Sequence, residues 1–105
     1  MNVSPEQRGY LWGEIYPAIA EGIDILLSAN GHDLRLMEPD EVHAAFKRSL
    51  GIASTEALSP SEACDYLTQL QALAASWMIF VASPDEWKAG KDHAARVNHY
   101  KFVLS

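Results

Sequence analysis

The residues best suited to chemistry in this sequence are its four histidines, its single cysteine and a run of acids at Glu38, Asp40 and Glu41. No two histidines stand four residues apart, the spacing that places two metal ligands on one helix face, so no metal site is predicted. Acids in the first turn of a helix usually stabilise the helix dipole, and we interpret these three in that way. The sequence also lacks a phosphate-binding glycine loop and a nucleophile motif. We therefore expect neither catalysis nor a cofactor.

Aromatic residues beside one arginine indicate binding instead. Tyr10, Trp12 and Tyr16 lie off the apolar stripe of the first predicted helix, with Arg8 at one end, so part of this aromatic surface is expected to be exposed. Exposed rings can stack on unpaired nucleic-acid bases, each contact contributing about 1–3 kcal/mol. Packing of Trp12 in the core is the alternative, and it would leave Tyr10 and Tyr16 as the surface candidates.

Charge is distributed unevenly along the chain. The formal net charge is −6, and residues 1–64 hold ten acids against four Lys or Arg. The last part of the chain carries a basic segment with Lys88, Lys91, Arg96 and Lys101. Phosphate contacts dominate the affinity for duplex DNA, so this composition argues against binding duplex DNA through the whole surface. The basic segment has two open interpretations, a nucleic-acid contact and a solvated helix face.

The elements that must position these residues are predicted to be helices. Capping patterns, in which a serine is followed three residues later by Glu or Gln, begin at Ser4, Ser59 and Ser83, each followed by proline. The first helix is expected from Pro5 to about Ser28. Because Pro17 lacks a backbone donor, either a kink near Gly13 to Pro17 or two helices that meet there are expected.

Two further long helices follow. The second opens at Glu38 and ends at Gly51, and its buried stripe is Val42, Phe46 and Leu50. The third is expected from Pro60 to about Val81, with Trp77 and either Phe80 or Val81 on its inner side and Cys64 as a small core residue. A short helix from Ser83 carries the basic segment, which is expected to be loosely packed.

The predicted fold is mainly α, a single domain over residues 1–105 with three main helices and a short C-terminal helix or tail. Alternating residues over 32–37 and the run 101–104 allow at most a minor two-stranded β patch. No stretch is apolar enough to span a membrane, and the first residues lack the layout of a signal peptide. A cytoplasmic location is therefore expected.

The order of several short motifs resembles that of the bacteriophage NinB (Orf) recombination proteins. The motifs are Ser-x-x-Gln-Arg-x-Tyr-Leu-Trp at 4–12, Glu-Val-His-x-x-Phe-Lys at 41–47, Ser-Thr-x-x-Leu at 54–58 and a long helix before Ser-Pro at 83–84. The resemblance covers about residues 4–86. It implies a mixed, helix-rich fold, a dimer, and binding of single-stranded or junction-containing DNA to help load recombination proteins. It maps Gln7, Arg8 and Trp12 onto the first motif, and His43 and Lys47 onto the second.

Two functions follow as hypotheses. In the first, a non-catalytic phage-type protein binds single-stranded DNA or a recombination partner through Arg8, Tyr10, Lys47, Arg48, Lys88 and Lys91. In the alternative, a small acidic inhibitor of the anti-CRISPR type binds a host nucleic-acid enzyme through Asp33, Glu38, Asp40 and Glu41. A plain oligomerisation module, marked by an exposed apolar patch, is a third possibility. Cations that converge on one face would favour the first hypothesis, and an unbroken acidic face would favour the second.

Overall fold

Helices form the regular structure of the chain. The computed structural model describes residues 3–31, 38–52 and 54–104. Its elements are α1 (Pro5–Tyr10), a π-helical segment (Leu11–Ile15), α2 (Tyr16–Ala29), α3 (Pro39–Ser49), α4 (Pro60–Ser76), α5 (Pro84–Lys88) and α6 (Asp92–Val103). No strand occurs within these three ranges, and the predicted mainly α class is confirmed. The strand considered at 101–104 is wrong, because α6 runs to Val103, and the one considered at 32–37 lies outside the described residues.

The first helix runs without a break from Pro5 to Ala29, but its backbone is irregular just before Pro17, where the sequence predicts an irregularity. Ser4 caps α1 by accepting a hydrogen bond from the Gln7 amide, and the Gln7 side chain returns one to the Ser4 amide. Over Leu11–Ile15 the backbone widens into a π-helix, and the Tyr16 amide donates to the Leu11 carbonyl, five residues back. Pro17 lacks an amide and crowds the preceding turn, so a wider turn before it relieves both problems. The expected kink is thus a π segment.

The second helix, α3, begins as predicted. Glu38 and Glu41 form its capping box, and Asp40 and Glu41 stand in its first turn, where they complement the helix dipole. Gly51 follows its end with a φ of 70°, a conformation that favours glycine. Leu50 is 37% exposed, so its predicted place in the buried stripe is wrong.

The helix α4 ends at Ser76, five residues before the predicted end at Val81. Met78 takes a φ of 61°, and the Ile79 amide donates to the Ala74 carbonyl at 2.9 Å. These features form a Schellman motif, which usually has glycine at the left-handed position. The turn buries Ile79 and leaves Trp77 47% exposed, so the predicted inner position of Trp77 is also wrong. A methionine gives no sequence signal for this ending.

The core lies where the first helix crosses α3 and α4. Its largest fully buried side chains are Tyr16, Ile15, Ile19 and Leu70. Other buried members come from α3, α4 and the segment after α4 and include Val42, Phe46, Tyr66, Ala74 and Ile79. Cys64, predicted to be a core residue, is exposed instead.

The basic segment folds into α5 and α6, which are joined at Gly90 with a φ of 72°. Tyr100 anchors α6, because its ring is buried and its hydroxyl accepts a hydrogen bond from the Phe80 amide. A Cβ atom at Gly22 would lie 2.7 Å from that hydroxyl and 2.5 Å from Ile79 Cγ2, so glycine permits this close packing on α2. None of the described helices has the length and apolar character needed to cross a membrane.

Candidate nucleic-acid interface

Four side chains from three helices meet beside the π segment, and we call Trp12, Tyr16, His43 and Tyr66 the Trp12 cluster. The Trp12 ring lies 4.6 Å from the His43 ring and 4.8 Å from the Tyr16 ring, centroid to centroid. Two of the four motifs that carried the family resemblance, those at 4–12 and 41–47, are therefore in contact through Trp12 and His43. Trp12 is partly buried against the core, and its ring contacts His43 of α3.

Hydrogen bonds close the inner side of the Trp12 cluster. The Tyr16 and Tyr66 hydroxyls lie 2.6 Å apart, and His43 Nδ1 lies 2.9 Å from the Tyr16 hydroxyl. Burial raises the pKa of Tyr16 and of Tyr66. Burial also lowers the pKa of His43, and the nearby Lys47 ammonium lowers it further. The Trp12 cluster is therefore electrically neutral at pH 7, with a half-buried imidazole at its edge.

An open cavity of about 610 Å³ adjoins Trp12 on its outer side, and we call it the Arg8 cavity. Its described lining comes from the first helix and the segment after α3 and consists of Val3, Pro5, Arg8, Gly9, Trp12 and Glu56. Arg8 Nη2 lies 2.7 Å from Glu56 Oε1, and both side chains are about 60% exposed. The cavity thus combines one aromatic wall with an exposed cation that already has an acidic neighbour.

The other predicted cations do not all gather at the Arg8 cavity. Lys47 is half-buried one turn after His43 on α3, and Arg48 is exposed beside it. Lys88 approaches the first turn of α1, where its Nζ lies 3.9 Å from Glu6 Oε2. Lys91 is exposed at the start of α6. Of these cations, Arg8 and Lys47 therefore lie beside members of the Trp12 cluster, whereas Lys88 lies beside Glu6.

Tyr10 and Tyr16, predicted to be exposed, are buried, and that prediction is wrong. Tyr10 is 5% exposed, donates its hydroxyl to the Ala82 carbonyl and accepts a hydrogen bond from Gln71 at 2.9 Å. Helix periodicity placed these rings off the apolar stripe, but α4 and the segment after it cover the flank of the helix that carries them. Neither ring can stack on a base.

Sequence reasoning missed a second polar site, which consists of Glu14, Ala82 and Arg96 and which we call the Glu14 junction. The Glu14 carboxylate is 2% exposed, accepts a 2.7 Å hydrogen bond from the Ala82 amide and lies 3.0 Å from Arg96 Nη2. Burial raises the pKa of Glu14 against the opposing effects of these two partners. The available signal was an acid between Leu11 and Ile15, both on the apolar stripe.

Three of the four carboxylates of the alternative hypothesis lie together at the start of α3. Glu38 lines a groove beside α2, whereas Asp40 and Glu41 are exposed on the first turn of α3. Asp33 lies outside the described residues. Within the described ranges, no group of three His, Cys, Asp or Glu side chains is arranged to hold a metal ion.

Comparison with family models, with curated proteins and with solved structures gives no match for this chain.

Proposed function

We propose that this protein binds single-stranded DNA, with an unpaired base in the Arg8 cavity against Trp12 and the adjoining phosphates near Arg8 and Lys47. The observation that carries the proposal is the 4.6 Å contact between the Trp12 and His43 rings, beside a cavity with an arginine at its rim. Aromatic walls with adjacent cations are the usual means of binding single strands without regard to sequence. Binding, and not catalysis, is the proposed role.

The geometry of Trp12 suits stacking on one side only. Tyr16 and His43 contact its ring from within the fold, and this contact fixes the orientation of the indole. Its remaining surface lines the Arg8 cavity. A ring held in this way loses little conformational freedom when a base binds, so more of the stacking energy is retained as affinity.

Glu56 is expected to weaken this binding. Its carboxylate holds the Arg8 guanidinium at 2.7 Å, in the position that a phosphate oxygen would take. Because exposed ion pairs are weak, a phosphate can replace the carboxylate at small cost. With two cations near the phosphates and a net charge of −6, the protein should bind weakly, and its affinity should fall by less than about ten-fold between about 50 and 200 mM salt.

The test is fluorescence anisotropy of a labelled single-stranded oligonucleotide, titrated with the protein between about 50 and 200 mM salt. Arg8→Ala should weaken binding about three- to ten-fold and reduce the salt slope by about one phosphate contact. Glu56→Gln should strengthen binding. Trp12→Leu, checked for folding by circular dichroism, should weaken binding about ten-fold through lost stacking.

Lys101→Ala is the matched control, because it removes one exposed cation from α6, away from the Arg8 cavity. The proposal is wrong if Arg8→Ala and Lys101→Ala weaken binding equally, since the affinity would then depend on overall charge alone. Absence of binding at the lowest salt would also overturn it.

We also propose that the chain forms a homodimer through the apolar surface at the end of α4. Trp77 and Met78 are 47% and 62% exposed, and the Trp77 ring stacks on Phe46 at 6.2 Å. Adjacent exposed apolar side chains of this size commonly mark an interface. Sedimentation equilibrium should give a dimer that Trp77→Ser with Met78→Ser converts to monomer. A monomeric wild-type protein would contradict the proposal.

A further inference from the structure

A groove runs between α2 and α6 on a part of the surface that the Arg8 cavity does not use. Its larger section, about 770 Å³, is formed by α2, the start of α3 and Leu104. A second section of about 450 Å³ lies between α2 and α6. Glu21, Ile25 and Leu104 line both sections, so the two are continuous, and we call them together the α2–α6 groove.

The floor of the groove is aliphatic. Ile25 is half-buried there, and Val97 and Leu104 are 45% and 48% exposed. The α2 side of the groove extends over residues 17–29, a length of about 18 Å at the helical rise of 1.5 Å per residue. This length accommodates about three turns of a second helix.

The two ends of the groove differ in charge. The larger section is lined by Glu21, Asp24 and Glu38, and its described lining includes no Lys or Arg. At the other end lie Arg96 and Lys101, and Arg96 is already paired with Glu14. The groove therefore has an acidic half and a weakly cationic end.

We propose that the α2–α6 groove binds a helical segment of a partner protein that is apolar on one face and basic at one end. The apolar face would cover Ile25, Val97 and Leu104, in the manner of amphipathic helices that bind in hydrophobic grooves. Lys or Arg side chains of the segment would pair with Glu21 and Glu38. Charge complementarity selects a basic segment over an acidic one and fixes its direction along the groove. The proposal is independent of DNA binding.

The experiment selects 16-residue peptides from a randomised display library on the full chain, with counter-selection on the bare display support. Selected peptides should carry Lys or Arg at one end and aliphatic residues at three- and four-residue spacing. Their binding, measured by anisotropy, should fall about ten-fold or more in Glu21→Lys and in Leu104→Asp. Asp65→Lys, a charge reversal at an exposed position of α4, is the matched control and should change affinity less than about two-fold.

Amide chemical-shift changes on peptide binding should lie in residues 18–29 and 93–104. The proposal is overturned if selected peptides are not basic, if their shift changes lie elsewhere, or if no peptide is enriched over the counter-selection. The oligonucleotide titration on Glu21→Lys and Leu104→Asp separates the two proposals. Loss of peptide binding with unchanged DNA binding supports the groove, and equal loss of both would show a general defect and contradict it.

Discussion

Trp12 and Glu14 stand two residues apart on the same π segment, yet the Trp12 cluster and the Glu14 junction differ in both burial and charge. Glu14 is 2% exposed, and an amide and a guanidinium from the C-terminal third of the chain contact its carboxylate. The Trp12 cluster is held by rings and neutral hydrogen bonds, and Trp12 faces an open cavity. A polar site closed on all sides holds the fold together, whereas a site with one open side can bind a ligand.

Distance alone is a poor guide to the strength of the two ion pairs at these sites. Arg8 and Glu56 approach to 2.7 Å, closer than the 3.0 Å between Arg96 and Glu14. Water screens the first pair, but it is largely absent from the second. Loss of one buried partner leaves an uncompensated charge, which is costly even where the intact pair contributes little.

The largest expected effect comes from Glu14→Ala. This change leaves the Ala82 amide without its acceptor and leaves Arg96 with Asp92, 3.9 Å away, as its remaining acid. We expect a loss of about 3 kcal/mol in the free energy of unfolding. Urea unfolding followed by circular dichroism measures the loss. Glu56→Ala is the control and should cost less than about 1 kcal/mol. Equal losses in the two variants would show that the Glu14 junction does not hold α6 to the first helix.

A smaller effect is expected from Tyr16→Phe in the Trp12 cluster. The change removes a hydroxyl that contacts both Tyr66 and His43, and about 1–3 kcal/mol of stability should be lost. The double variant with Tyr66→Phe should lose less than the sum of the single losses, because the two hydroxyls bond each other. Additive losses in the urea unfolding of these variants would contradict the 2.6 Å contact.

The two sites should respond to pH in opposite directions. The folded-state pKa of Glu14 is raised above 4.5, so its favourable contribution is complete below pH 4.5 and is lost as pH rises through the folded pKa. The folded-state pKa of His43 is lowered below 6.5, so its contribution is present above pH 6.5 and is lost as pH falls through the folded pKa.

The measurement is the unfolding free energy of the wild type relative to Glu14→Gln and to His43→Asn from about pH 4 to 8. Relative to Glu14→Gln, the wild type should lose stability with rising pH. Relative to His43→Asn, it should lose stability with falling pH. If the two differences in unfolding free energy change with pH in the same direction, burial does not set the pKa of both Glu14 and His43.

The smallest expected effect on stability belongs to Glu56→Gln, at less than about 1 kcal/mol. The same change should raise the affinity for single-stranded DNA, since it removes the competitor for Arg8. Thermal unfolding and anisotropy on one preparation give both values. A stability loss as large as that of Tyr16→Phe would mean that the exposed pair has a structural role.

Local signals in the sequence were sufficient to predict where most of the helices begin. The boxes at Ser4, Ser59 and Ser83 all form as predicted, because each needs only a serine and a side chain three residues later. The end of α4 was missed because Met78, and not a glycine, takes the left-handed position. Burial was less predictable, as the exposed Cys64 and the buried Tyr10 illustrate.

The candidate site was predicted in part. The resemblance to NinB-type proteins drew attention to Arg8, Trp12 and His43, and the structure brings Trp12 and His43 into contact. Glu56 and the Glu14 junction were missed, because no pattern relates an acid to partners dozens of residues away. Binding of single-stranded DNA, the inhibitor alternative and the dimer stay predictions.

The sequence by itself determined the helical class, the caps and the position of an irregularity before Pro17, since each depends on contacts within about one turn. Only the tertiary structure decided which rings are buried, which acid is enclosed and where an aromatic surface stays open. Glu14 meets Arg96 across 82 positions of sequence, and Tyr10 meets Ala82 across 72. Such pairs form only when the helices pack, so their chemistry depends on the fold and not on any local pattern.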